Sequence, residues 1–222
     1  MILPPVETDE SLVAQGLYQQ MHQGEPTRVQ EFWTVHSLPD QALIWRSQLV
    51  YDSRVPLSAC YVLRDPELRP VQVVFYWRWQ DGREEMVEYR FMPGYAIILQ
   101  DNLAQDMILP AWYEVNPWHT ITRNFVWFGY DQATNERQSF PVLSPGIQQG
   151  TLWPGLITVS ASLERVDIMP GPAGPHKGFV FSVDQPGLGV QSLLFDEFGV
   201  PLRWELPGEQ LVVRLAEYVR NP

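Results

Sequence analysis

Cysteine and lysine are nearly absent from this 222-residue chain, and each scarcity closes off a class of function. Cys60 stands alone, so no intrachain disulfide and no multi-cysteine metal site is available. Lys177 is the only lysine among 15 basic residues, against 26 acidic ones, and the formal net charge is −11. Binding to a phosphate backbone needs clustered Lys and Arg, so neither nucleic acid nor an anionic membrane surface is an expected partner. No apolar run approaches the roughly 18 residues of a membrane-spanning helix. The opening stretch Met1–Glu7 lacks the basic region and apolar stretch of a secretory leader. Together these features predict an acidic, soluble, cytoplasmic protein.

Motifs that carry chemistry are missing as well. There is no Cys-x-x-Cys, His-x-His or His-Glu-x-x-His spacing, so no metal and no cofactor is expected. There is no Gly-x-Ser-x-Gly elbow, and Cys60 lies in an apolar strand pattern that suits an inert buried thiol. Gly171–Gly178 lacks the Lys-Ser/Thr ending of a phosphate loop. Gly187-Leu188-Gly189 lacks the third glycine of a dinucleotide fingerprint. The polar stretch Asp101, Asn102 and Asp106 lacks the alternating oxygen donors of a calcium loop and reads as a solvated loop.

What the chain has in quantity is aromatic surface: nine Trp, nine Tyr and ten Phe. Such residues favour strands and line concave ligand sites. The segment Val71–Phe91 sets a hairpin register. A loop of Gln80-Asp81-Gly82, with Gly82 at positive φ, pairs Val73 with Tyr89 and Phe75 with Val87 on one face. The other face then pairs Gln72 with Arg90, Tyr76 with Met86 and Arg78 with Glu84. A shorter Asp81-Gly82 loop would oppose Phe75 to Glu88, which sorts apolar from polar less well.

The remaining pattern is mostly strand. Residues 9–22 predict a helix, with Thr8 or Asp9 as cap and Leu12, Val13, Leu17 and Met21 as its apolar stripe. Arg28–His36 carries Val29, Trp33 and Val35 on one face, and Leu43, Trp45, Leu49 and Tyr51 alternate next, across a Pro39-Asp40 turn. Ser58–Arg64 is a shorter strand, and Tyr95–Gln100 has the apolar character of a central, fully covered one. Ile121–Tyr130 and Arg137–Leu143 read as a second hairpin. In Leu156–Ile168 the apolar phase switches across Glu164-Arg165, as a β-bulge would make it do. Gly178–Asp184 and Gly189–Phe195 follow. The turn Asp196–Gly199 precedes a strand begun by Pro201, and Gln210–Arg220 suits a final strand better than a helix. The pattern predicts a single domain over residues 1–222. It is mainly β: a curved antiparallel sheet of roughly ten strands, half-barrel or lipocalin-like barrel, behind one N-terminal helix.

The densest candidate site is the proline-braced stretch Pro110–His119, which gathers Trp112, Tyr113, Glu114, Trp118 and His119. Glu114 and His119 could serve as an acid/base pair at a barrel mouth. Trp33, Trp45, Phe75, Trp77 and Trp127 fall at strand spacing and could line an apolar cavity or fill a core. The final third, GVQSLLFDEFGVPLRWELPGEQLVVRLAEY, resembles in its rhythm the closing hairpins of lipoprotein-carrier and glycolipid-binding-type half-barrel domains. The resemblance implies a concave sheet that takes a lipid or other apolar small molecule, and it carries over no functional residue. An enzyme using Glu114 and His119, and a protein-interaction or homodimerisation domain with a packed interior, are the competing expectations.

Overall fold

The computed structural model describes residues 3–52, 55–101, 103–134, 136–169 and 176–221, with the backbone alone at Val55 and His176. Asn102 and most of the Pro170–Gly178 stretch lie outside the described residues.

Fifteen strands form one sheet. The first eight are β1 (Ser11–His22), β2 (Glu25–Ser37), β3 (Leu43–Tyr51), β4 (Val55–Arg64), β5 (Pro70–Arg78), β6 (Glu84–Met92), β7 (Tyr95–Gln100) and β8 (Leu103–Ile108). Then come β9 (Glu114–Val115), β10 (Gln138–Pro145), β11 (Pro154–Met169), β12 (His176–Gln185), β13 (Gly189–Phe195), β14 (Pro201–Leu206) and β15 (Leu211–Arg220). The chain starts at the middle of the sheet and meanders outward to an edge at β8. It crosses to the opposite edge at β9 and meanders back until β15 lies beside β1. Every pairing is antiparallel except β9 with β10. The sheet curves but its edges, β8 and β9, do not join, so it is not a closed barrel.

The crossing segment runs inside the curve. Its short 3-10 turn Ile121–Asn124 and the single helix α1 (Phe125–Gly129) are buried from Ile121 to Val126. Ile121–Tyr130, expected as the first strand of the second hairpin, coils instead. A segment inside the concavity has no flanking strand to pair with, so its backbone groups must find partners locally. Tyr130 N–H, for example, donates to Val126 O at 3.1 Å.

The hairpin register read from Val71–Phe91 is the one observed. Val73 faces Tyr89, Phe75 faces Val87 and Arg78 faces Glu84, with Gly82 at φ 86°. The bulge in β11 falls between Leu163 and Arg165, and Pro201 opens β14. The Asp196 turn is built by its carboxylate, which accepts from Phe198 N–H at 2.9 Å and Val200 N–H at 2.8 Å.

Other expectations fail. Residues 9–22 form no helix; they are the central strand β1. Pairing with β2 and β15 on both sides satisfies that backbone fully and overrides a modest helical pattern. Ala14, Gly16 and Tyr18 point inward, and an added Cβ on Gly16 would sit 2.5 Å from the Trp33 ring. Tyr95–Gln100 is not central but next to the edge, with only Ala96 and Ile98 buried. The polar stretch after it is strand β8, whose residues are mostly exposed. The sheet thus has fifteen strands where roughly ten were expected.

Candidate functional site

Strand alternation brings two inward rows together. Gly16, Trp33, Ser47, Cys60 and Phe75 are cross-strand neighbours in one row. Tyr18, Glu31, Leu49, Ser58 and Trp77 form the next. His119, on the crossing segment, is set between these rows. Its ring is fully buried and meets Phe75 edge-on at 6.0 Å.

The hydrogen bonds define a four-member relay. Ser47 Oγ donates to Glu31 Oε1 at 2.8 Å. With that proton committed, Ser47 accepts from His119 Nδ1–H at 2.8 Å. The neutral ring then presents a lone pair at Nε2, and Ser58 donates to it at 2.9 Å. Glu31 also accepts from Thr120 N–H at 2.8 Å and Ile121 N–H at 3.1 Å. Burial holds His119 below the ordinary histidine pKa, against an opposing pull from Glu31. The imidazole is therefore neutral, consistent with the tautomer the bonds require.

Below the relay lies a cavity of about 170 Å³, walled by Trp77, Trp118, Trp204, Leu49 and Val213 among others, with His119, Glu31 and Tyr18 at its polar end. Tyr18 is fully buried and stacks on Trp33 at 5.8 Å, and among the described residues its hydroxyl has no hydrogen-bond partner. Burial, with Glu31 and Asp196 nearby, pushes its ionisation far up, so the phenol keeps its proton and has it free to donate. Trp118 is fixed by Nε1–H donation to Ser144 Oγ at 2.7 Å and has φ 69°. A larger hollow of about 440 Å³ is an open groove on the opposite side of the sheet, walled by Leu17, Phe32 and Gln48. Its one cation, Arg46, is already held by Glu10 at 2.6 and 2.7 Å.

The residues singled out from sequence divide among several places. Trp77, Trp118 and His119 meet at the cavity, and Phe75 and Trp33 back it. Trp45 packs edge-on against Phe128. Trp127 belongs to a second apolar cluster, against Phe179, Phe181 and Phe195. Trp112 is 47 % exposed and shares with Tyr113 a third hollow of about 370 Å³. Glu114 and His119 form no pair: the Glu114 carboxylate accepts from Arg64 Nη2 at 2.7 Å, in a different buried cluster. Burial raises that carboxyl while Arg64 pulls it down.

Glu31, Ser47, Ser58 and Tyr18 are the members the sequence reading missed. Two carried a signal. Glu31 falls in phase with Val29, Trp33 and Val35, and Ser47 in phase with Trp45 and Leu49, so each is polar where the strand turns inward. Tyr18 was hidden by the mistaken helix. Among the described residues no group of three or more His, Cys, Asp or Glu side chains is placed to hold a metal. No described helix is long and apolar enough to cross a membrane.

The architecture is that of a β-barrel-like domain: an open, strongly curved antiparallel sheet with a chain segment threaded through its concavity. A solved structure with this fold is a β-barrel-like protein of the domain of unknown function DUF1849 from Brucella abortus. It superimposes with a TM-score of 0.61 at 6% identity, over 95% of this chain and 98% of that one. A DUF1089 family protein from Pseudomonas aeruginosa gives a TM-score of 0.47 at 14% identity, over 86% of this chain and 90% of that one. At these identities the first likeness concerns the fold alone. No protein-family model and no curated protein matches the chain.

Proposed function

We propose that the chain acts as one binding unit for a small, mainly apolar molecule, held in the cavity beneath His119 with a hydrogen-bond acceptor on Tyr18. The observation that carries this is the Tyr18 hydroxyl: a buried donor with no partner, at the wall of an aromatic cavity. Volume narrows the ligand class. Sites for drug-sized molecules span about 300–1,000 Å³, whereas apolar cavities of about 150 Å³ accept benzene. A cavity of about 170 Å³ suits a single or fused aromatic ring, or the apolar end of a larger molecule, rather than a whole lipid. The lipid expected of a carrier-type half-barrel is thereby reduced to a ring or a short apolar end. The relay serves the wall: Ser58 is fully buried, so its hydroxyl orients His119 and does not meet a substrate.

Native mass spectrometry of the purified chain, against its denatured mass, tests for a retained ligand. Melting curves with phenol and indole then test the cavity. A saturable rise in Tm is expected for wild type. Tyr18→Phe should keep the apo Tm and lose most of the response, and Leu211→Trp, which enlarges a further side chain of the cavity wall, should lose it entirely. A clean apo mass together with no response to either probe would sink the proposal.

A further inference from the structure

Arg123 is a buried cation that the relay and cavity leave unexplained. It is 1 % exposed, on the 3-10 turn three residues beyond Thr120. Its guanidinium lies 3.7 Å from the centre of the Trp204 ring, and its Nη1 donates to the neutral Gln191 Oε1 at 2.9 Å. Gln191 Oε1 also accepts from Trp204 Nε1–H at 2.8 Å. Among the described residues, Nε and Nη2 have no hydrogen-bond partner. Beside them, Gln185 Nε2 is a third buried donor without an acceptor, on a side chain whose Oε1 takes Gln191 Nε2–H at 3.4 Å.

The pattern of vacancy is specific. Nε–H and one Nη2–H lie parallel on a single edge of the guanidinium, spaced for the two oxygens of a carboxylate. A buried cation that no carboxylate hydrogen-bonds costs several kcal/mol, and a cation–π contact recovers only about 2 kcal/mol of that. Burial lowers the Arg123 pKa to about 9, with Glu31 opposing, so the side chain still carries its charge at neutral pH. Three open donors beside a fixed positive charge are the complement of a small planar anion.

We infer that the open Nε/Nη2 edge of Arg123, with Gln185 Nε2 beside it, binds a carboxylate. The inference does not depend on the cavity ligand. The carboxylate is either that of a small free ion or the acidic end of a molecule whose ring sits against Trp204, a residue that also walls the cavity.

The test compares melting of the full chain in sodium acetate, sodium benzoate and sodium chloride at equal ionic strength, with the Arg123 Nε–H resonance followed by ¹⁵N NMR from salt-free buffer. Both carboxylates are expected to raise Tm saturably and to move that resonance with the same midpoint. Arg123→Met, which keeps the volume without the charge, should melt above wild type in salt-free buffer and show no carboxylate response. Gln185→Leu should weaken the response severalfold. Equal acetate and benzoate midpoints, untouched by Leu211→Trp, would identify a free ion. Benzoate binding at least tenfold tighter than acetate, with the gain lost in Leu211→Trp, would identify the acidic end of the cavity's own ligand. An unmoved Arg123 resonance, with equal melting in all three salts, would overturn the inference and leave water as the partner. Failure of phenol and indole to bind would not touch it.

Discussion

Ser47 links two buried groups with one hydroxyl, so its loss is felt at both. Ser47→Ala would strand the His119 Nδ1 proton and one lone pair of Glu31. A buried group left unpaired costs about 1–3 kcal/mol, so a loss of roughly 2–4 kcal/mol in urea unfolding is expected; an unchanged midpoint would contradict the relay. His119 also sets a pH response. Its folded pKa lies below the ordinary 6.5, so the unfolded chain takes up its proton first. The stability it contributes is intact above about pH 6.5 and is lost as pH falls toward the folded value, by up to about 1.4 kcal/mol per pH unit. His36, depressed by burial and by Arg46, adds in the same direction. His119→Gln should therefore flatten, without abolishing, the acid limb of a stability-versus-pH curve. Gly16 makes the opposite kind of prediction. An alanine there would drive its Cβ into the Trp33 ring and within 2.5 Å of Glu217 O, so Gly16→Ala should cost about 1–3 kcal/mol by thermal unfolding.

At the scale of elements, stability should be graded across the sheet. β8 has one neighbour and exposes Leu103 and Ile108, while β1 is paired along both sides. Amide exchange monitored by mass spectrometry should release β8 first and β1, β2 and β15 last; early exchange in β1 would overturn this ranking. The same grading explains what was legible beforehand. Hairpin β5–β6 could be read to the residue because one face is dry and Gly82 marks the loop, both local properties. The β11 bulge was legible as a phase switch for the same reason. Strand β1 was not, because the feature that makes it a strand is a pair of neighbours drawn from distant parts of the chain. The buried coil at Ile121–Gly129 failed for the complementary reason: β-prone residues were placed where no neighbour exists. His119 could be named as a candidate from its loop. Its partners could not, since Glu31, Ser47 and Ser58 converge only through the curvature of three strands.

For the whole molecule, the informative feature is where the chain begins and ends within the sheet. Asn221 N–H donates to Val13 O at 2.8 Å, and β15 runs the length of β1. The start of β1 and the end of β15 thus lie beside each other, away from both sheet edges. A circular permutant that joins them through a flexible linker and opens the chain at the exposed 131–134 loop should keep the fold, since such loops tolerate new ends. Near-wild-type circular dichroism and a cooperative melt are expected. A molten, non-cooperative transition would show that the order of the strands in sequence matters as well as their order in space.

That central seam also has a temporal meaning. The strand that joins the two halves of the sheet is the last described one to leave the ribosome. Until it emerges, β1 offers a bare row of amides and carbonyls down its middle, with Tyr18 and Trp33 beside it. Each nascent molecule therefore passes through a stage in which its most adhesive backbone is open to any extended neighbour. For this architecture the hazardous stage in synthesis is the wait for β15, which must reach β1 before another chain does.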